Sequence, residues 1–258
     1  MGRVPWVRRK RPTGSVESAG VSNIATGSNG GGRSLHPHAD IRIENFRDTK
    51  LPPLDAVIGN VPFADLKLDF RGQKLSLHDF FIAKSVDSLK PRGVLAVVTS
   101  HFTLDKQNAA AREHLASQAD FLGAIRLPSD AFKREGTAVV TDIVFLRKRA
   151  PGQDPNHADA DWLHVVPLAV EGAAVPVNRY CLKHPEMVLG TWSRKDTLYA
   201  EGFSVVGNGD LASQLRQAVA PERDLTGERA GRIPSGPTPR GPHAARPGCG
   251  AGASSWRC

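Results

Sequence analysis

The chain has 258 residues, of which 40% are hydrophobic and 23% are charged. This composition supports a folded core and excludes a wholly disordered chain, and no apolar run approaches the ~18 residues of a membrane-spanning helix. Three scattered cysteines are too few for a disulfide framework and fit a reducing cytoplasm, where we expect the protein to work.

The net charge of +8 comes from the two ends of the chain. Residues 1–34 carry six Lys or Arg and one acidic residue, residues 221–258 carry six and three, and the middle carries 22 of each sign. The basic balance is therefore weak evidence that the folded part binds nucleic acid.

Composition also divides the chain into segments. In residues 221–258, 13 of 38 residues are Gly or Pro, which predicts a disordered tail because such a segment buries little apolar surface. Residues 1–34 end in a glycine-rich run and predict a disordered or degenerate N-terminus. Between them we expect a folded domain over residues 35–150 and a connector over residues 151–220.

The elements of the folded part follow from hydrophobic periodicity. Ser76 and Asp79 have the spacing of a helix N-terminus, and the apolar residues after them recur at helical spacing up to the break at residues 90–93. Alternation or short apolar runs predict the strands. In chain order the prediction is strands at 41–46 and 54–59, a helix from 77 to 89, a strand at 93–99, a helix at 106–117, and strands at 121–127 and 138–146.

This order of elements predicts the fold class. Strands that alternate with helices and that are apolar on both faces indicate an α/β protein with a parallel sheet covered by helices. Only a short loop separates the last two strands, so we expect them to pair as an antiparallel hairpin.

The residues after the second strand, Asn60, Val61, Pro62 and Phe63, offer an amide, a backbone carbonyl and an aromatic face at the carboxyl end of a sheet, where α/β proteins bind ligands. These groups suit a planar base that carries an exocyclic amine. The amide oxygen and the carbonyl would accept the two N–H protons of the amine while Phe63 stacks on the base, which has to leave the duplex to enter such a site.

At these residues the chain resembles a known family. The sequence DAVIGNVPF at residues 55–63 resembles motif IV, (Asn/Asp/Ser)-Pro-Pro-(Tyr/Phe), of the DNA adenine-N6 methyltransferases. Residues 77–98 are similar to the helix, Pro-x-Gly turn and strand that follow in that family. Residues 125–137 and the strand after them resemble the late hairpin of the branch that includes type I modification subunits. Residues 178–190 are similar to a segment of large bacterial plasmid or phage proteins that join methylase and helicase regions. The resemblance covers residues 35–220.

The resemblance implies a class I, Rossmann-like fold, S-adenosylmethionine as cofactor, and adenine in DNA as substrate. In that family the positions of Asn60 and Val61 hold the amine, and those of Phe63 and Phe132 lie against the extruded base. The position of Glu44 or Asn45, at the end of the first strand, contacts the cofactor. No metal is implied, and a Cys181–His184 zinc site is not expected because no second ligand pair follows.

The chain departs from the family in two respects. Val61 replaces the first proline of the motif, which keeps the carbonyl but loses the rigidity of the ring. The glycine-rich cofactor loop and the elements after it need on the order of 50 residues before the second strand. Residues 30–32 lie too close to the first strand to be this loop, and Glu17 resembles the ribose-binding acid only faintly. We therefore expect an incomplete fold whose cofactor half is missing.

The sequence thus predicts an adenine-N6 DNA methyltransferase that is truncated or degenerate and has weak or no activity by itself. Two alternatives remain open. In the first, the chain is a non-catalytic methyltransferase-like module that binds DNA or a helicase. In the second, it is a frame-shifted gene product. DNA is the expected partner, together with a helicase domain or the missing N-terminal half.

Overall fold

The structure is a computed structural model that describes residues 4–9, 19–21, 39–62, 64–133, 139–195 and 202–220. Of residues 4–9, 19–21 and 39–44 it describes only the backbone. Residues 221–258, for which a disordered tail is predicted, lie outside the described part.

An antiparallel sheet of three strands precedes the main sheet, in the order β2-β1-β3. Its strands are β1 (Val4–Arg9), β2 (Ala19–Val21) and β3 (Ala39–Glu44). Two predictions are corrected here. The first 34 residues contain two strands, and the strand predicted at 41–46 pairs with β1 instead of joining the parallel sheet. Alternation identifies a strand but carries no information about its partner, which explains the second error.

The main sheet has four strands in the order β4-β7-β9-β8. β4 and β7 are parallel, and β9 is antiparallel to both of its neighbours. The predicted α/β class, the parallel pair and the antiparallel hairpin are confirmed. The elements of this region are β4 (Leu54–Asn60), the hairpin of β5 (Lys67–Phe70) and β6 (Gln73–Ser76), α1 (Leu77–Ser88), β7 (Leu89–Ser100), α2 (Phe102–Asp105), α3 (Ala110–Gln118), β8 (Ala119–Leu127) and β9 (Thr141–Lys148).

Helix α1 forms as its sequence predicts and supports the end of β4. Its apolar residues Phe80, Phe81 and Val86 are buried, and Phe81 stacks on Phe46 with ring centroids 4.3 Å apart. Ser76 precedes the helix and bonds to the Asp79 carboxylate rather than to a backbone amide. A carboxylate in the first turn interacts favourably with the helix dipole.

Two element boundaries differ from the prediction. Residues 90–93, predicted as the turn that ends α1, belong to β7 and bulge where the strand passes Asp55. The helix predicted at 106–117 begins later, at Ala110, and forms α3, while the short helix α2 at Phe102–Asp105 was not predicted.

Residues 151–220, predicted as a connector, pack into the same core as the sheet. Trp162 stacks on Phe121 of β8 at 4.8 Å, and the hydroxyl of Tyr180 accepts a hydrogen bond of 3.3 Å from the Ala124 amide. The segment is therefore part of the domain. Its elements are a 3-10 helix (Ala160–Leu163), β10 (Val165–Val170), β11 (Ala173–Asn178), α4 (Arg179–Lys183), a second 3-10 helix (Pro185–Met187), β12 (Thr191–Ser193), β13 (Ser204–Val206) and α5 (Leu211–Val219).

A second, smaller apolar cluster is centred on three buried residues, Ile125, Leu127 and Leu189. Leu211 and Leu215 of α5 pack against it, and so does Phe132. Within the described ranges, no helix is long and apolar enough to span a membrane.

Candidate functional site

The predicted amine-binding residues lie where β4 leaves the sheet. Asn60 is the last residue of the strand and pairs with Val98 of β7, and the Val61 amide donates a hydrogen bond of 2.9 Å to the Val98 carbonyl. Asn60 and Pro62 are half-buried and Val61 is buried. Phe63 lies outside the described residues. Three of the four residues therefore lie at the carboxyl edge of the sheet, and their binding role stays a prediction.

The side-chain oxygen of Asn60 is an unsatisfied acceptor. Oδ1 is buried, and none of the described residues donates a hydrogen bond to it. Likewise, no donor to the Val61 carbonyl is found in the described part of the chain. A buried acceptor without a donor costs about 1–3 kcal/mol, so a ligand that brings N–H groups would relieve this cost.

A small cavity lies under Asn60. Its volume of about 10 Å³ is roughly that of one water molecule, so it does not admit a base. A base therefore has to reach Asn60 from outside this cavity. The residues that line the cavity are Phe46, Val57, Gly59, Asn60, Val61, Phe81, Ser85 and Val97.

Phe132, the predicted second base-stacking residue, is half-buried against the cluster of Ile125, Leu127 and Leu189. It follows β8, whose carboxyl end lies at the same edge of the sheet as Asn60, because β8 and β4 both run antiparallel to β9. The structure thus brings Phe132 to the predicted edge, with its ring engaged in apolar packing.

The predicted cofactor residues are not on the parallel sheet. Glu44 ends β3, which belongs to the antiparallel sheet, and Glu17 lies outside the described residues. Asn45 is exposed, and its side-chain oxygen accepts a hydrogen bond of 3.1 Å from the Arg47 amide in a local turn. Among the described residues, the sheet that contains β4 has no parallel strand from an earlier part of the chain. The positions of Glu44 and Asn45 therefore do not fit a binding site for S-adenosylmethionine.

A buried charge network that was not predicted from the sequence lies at the same edge. Arg126 donates two hydrogen bonds of 2.8 Å to the Asp142 carboxylate, and its third nitrogen lies 2.9 Å from Asp105. Nδ1 of His101 is 2.9 Å from the same Asp105 oxygen, and the Asn178 amide donates to the other at 2.7 Å. The network fixes the turn after β7 against β8, β9 and β11.

The charges in this network stabilise one another. Burial by itself would raise the pKa of Asp105, but Arg126 and His101 outweigh it, and the pKa lies below its usual value. Burial would lower the pKa of Arg126, but Asp105 and Asp142 raise it well above its usual value. A sequence signal existed, since Arg126 and Asp142 are opposite charges inside apolar strands and are directly paired in the hairpin.

A further polar cluster surrounds the start of α1. Ser76 Oγ lies 3.0 Å from Nε2 of His78, and His78 is buried. Burial lowers the pKa of His78, Asp79 opposes this effect, and Lys106 and His101 add to it. The neutral imidazole of His78 is therefore favoured.

Among the described residues, no group of three or more His, Cys, Asp and Glu is placed to hold a metal ion. Cys181 is buried, and burial raises the pKa of its thiol well above the usual value. The His184 ring contacts the carboxylates of Asp159 and Glu186.

No family model matches the chain. It is 27% identical over 197 residues to the protein Defense against restriction protein B of Escherichia phage P1, a match that covers 72% of this chain and 8% of the phage protein. The chain therefore spans less than a tenth of the curated relative that it matches.

The chain is also similar to solved structures of methyltransferases. A modification subunit of a putative type I restriction enzyme from Vibrio vulnificus YJ016 has a TM-score of 0.39 and 22% identity, over 46% of this chain and 30% of that chain. A putative class I S-adenosylmethionine-dependent methyltransferase from Listeria monocytogenes has a TM-score of 0.35 and 21% identity, over 42% and 36%. At this level, the likenesses do not assign an activity to the chain.

Proposed function

We propose that the chain carries the base-binding part of an S-adenosylmethionine-dependent DNA adenine-N6 methyltransferase and has weak or no methyl-transfer activity by itself. The observation that carries the proposal is the buried, unsatisfied Oδ1 of Asn60 beside the Val61 carbonyl, at the carboxyl edge of an α/β sheet. The likeness to a phage protein named for defence against restriction supports DNA as the partner.

In the proposed complex the amine of an extruded adenine lies between two acceptors. Asn60 Oδ1 and the Val61 carbonyl oxygen each accept one N–H of the amine. The lone pair of the amine is delocalised into the ring, and these acceptors favour the positive charge that builds on nitrogen when the amine reacts. Phe63 stacks on the base, and Phe132 contacts it from the β8 end of the edge.

A second candidate is a non-catalytic module that binds DNA or a helicase partner. The poor fit of the described residues to the cofactor favours it, since β3 lies in an antiparallel sheet. The two candidates differ in the role of Asn60, because a module that only holds DNA does not need an acceptor that recognises the adenine amine.

The test compares two oligonucleotides that differ only in this amine. Each is a duplex with one unpaired base, either adenine or unsubstituted purine. We expect the wild-type chain to bind the adenine duplex roughly 5- to 100-fold more tightly, as two hydrogen bonds of about 0.5–1.5 kcal/mol each imply. Asn60→Ala is expected to lose most of this ratio and to keep its affinity for fully paired DNA.

Asn156→Ala is the matched control, because Asn156 is exposed near Asp120, at the opposite end of β8. A wild-type chain without adenine preference, or an Asn60→Ala variant that keeps it, would contradict the proposal. Calorimetric titration with S-adenosylmethionine is expected to show no binding. A dissociation constant in the micromolar range would show instead that this chain has a complete cofactor site.

A further inference from the structure

Phe102 is an exposed aromatic residue beside the proposed base site. It follows β7, the strand that pairs with β4, and 47% of its surface is exposed. The neighbouring amide of His101 donates to the Val140 carbonyl at 3.3 Å, which holds this turn at the carboxyl edge. Adjacent strands lie about 5 Å apart, so the turn borders the residues that follow Asn60.

The ring of Phe102 is supported from one side. The His101 ring lies 4.1 Å away and is tilted by 33°, and it also contacts Phe203 edge-on at 5.0 Å. Asp105 holds His101 through Nδ1 and is itself fixed by Arg126. Phe102 is therefore exposed on a turn whose position is set by a buried network, not on a loose loop.

A positive charge accompanies the ring. The Lys106 amide donates to the Phe102 carbonyl at 3.2 Å, so the two residues are one helical turn apart on the same side of α2. Lys106 is half-buried, and no described residue forms an ion pair with its ammonium group. An aromatic residue with a lysine one helical turn away is a combination that binds unpaired nucleic-acid strands.

We propose that Phe102 stacks on a base of an unpaired DNA strand next to the extruded adenine, and that Lys106 contacts a phosphate of the same strand. This inference rests on the proposed function, since DNA is the ligand in both. It adds a contact that does not depend on which base is bound, because every base has an aromatic face.

The test measures fluorescence anisotropy of a labelled oligo-dT strand, which contains no adenine and no base with an exocyclic amine. Phe102→Leu is expected to weaken binding roughly 5- to 100-fold, the effect of removing one base–aromatic stack. Phe102→Trp is expected to bind at least as well as wild type. Lys106→Gln is expected to lower the slope of log affinity against log salt by about 0.7, the value for one phosphate contact on a single strand.

Leu122→Ala is the control, because Leu122 is another exposed apolar residue (39%) and lies near the amino end of β8, away from this edge. The oligo-dT measurement does not involve the adenine amine, so the two proposals fail independently. Unchanged oligo-dT affinity in Phe102→Leu would overturn the stacking role. An equal loss on oligo-dT and on a fully paired duplex would overturn it as well.

Discussion

Single charged residues decide much of the stability of this domain. The side chains of Arg126, Asp105 and Asp142 are each 1% exposed or less, and together they place one positive and two negative charges in the interior. The desolvation of buried charges is offset only when their pairing is complete, so the removal of one member leaves the others uncompensated. Trp192 and Phe203 cover the guanidinium at 5.4 and 5.6 Å, which keeps water out.

Arg126→Met is therefore expected to lower the free energy of unfolding by about 3–5 kcal/mol, because two carboxylates remain buried without their cation. Denaturation with urea, followed by circular dichroism, measures the loss. Arg71→Met is the control, since Arg71 pairs with Asp87 at 2.6 Å while 61% exposed, and such a surface pair is worth less than about 1 kcal/mol. Equal losses in the two variants would contradict the role of the network.

The same variant has a defined pH dependence. The pKa of Asp105 lies below the unfolded value of 3.8, so its contribution to stability is complete above 3.8 and is lost as the pH falls through the folded pKa. Without Arg126, burial favours protonated Asp105. The difference in unfolding free energy between wild type and Arg126→Met should therefore be smaller at pH 4 than at pH 7.

Buried charged residues such as Arg126 and Asp105 show the limit of what the sequence predicts about the site. The end of β4 at Asn60 could be predicted because a short apolar run and a proline show where a strand ends. The proposed role of Phe102 was missed because an exposed aromatic residue has no local pattern, and the network of Arg126 was missed although opposite charges inside two apolar strands signal such a pair. Both depend on contacts between residues that are far apart in sequence.

At the level of elements, the prediction succeeded where strands are long and apolar. β4, β7, β8 and β9 were found because each contains a run of apolar residues. The pairing of β3 was wrong because partner choice is a tertiary property. The three-residue strands β12 and β13 are too short to produce a periodic signal.

The parallel pair of β4 and β7 depends on a glycine. A Cβ atom at Gly93 would lie 2.9, 3.0 and 3.1 Å from the carbonyl oxygens of Lys90, Asp55 and Leu54. All three are backbone atoms that cannot move without disturbing the bulge in β7. Gly93→Ala is therefore expected to lower the free energy of unfolding by about 1–3 kcal/mol, as overpacking does.

Gly209→Ala provides the comparison, because its Cβ would meet only the end of the Gln214 side chain at 3.6 Å. Its effect should lie within about 0.5 kcal/mol of zero. If both alanine variants unfold at the same urea concentration, the close packing of β4 against β7 does not limit stability.

For the whole molecule, the described core does not divide at residue 150. Core residues from both parts of the chain pack together, and Trp162, which stacks on Phe121, is completely buried. Pro151, Gly152 and Pro155 have the composition of a linker. These residues instead lead into the part of the chain that covers β8.

A chain that ends at residue 150 is therefore expected not to fold. It would lose several large core side chains, each worth about 1.5–3 kcal/mol, and their sum approaches or exceeds the 5–15 kcal/mol stability of a typical domain. The core residues lost are Trp162, Val170, Val175, Val177, Tyr180, Cys181, Val188, Leu189, Phe203 and Val205. The matched chain ends at Ala220 and keeps every contact described above. Thermal unfolding followed by near-ultraviolet circular dichroism should show a cooperative transition for the longer chain and none for the shorter. A cooperative transition in the shorter chain would restore the division into a domain and a connector, because residues 35–150 would then fold without the segment that packs on them.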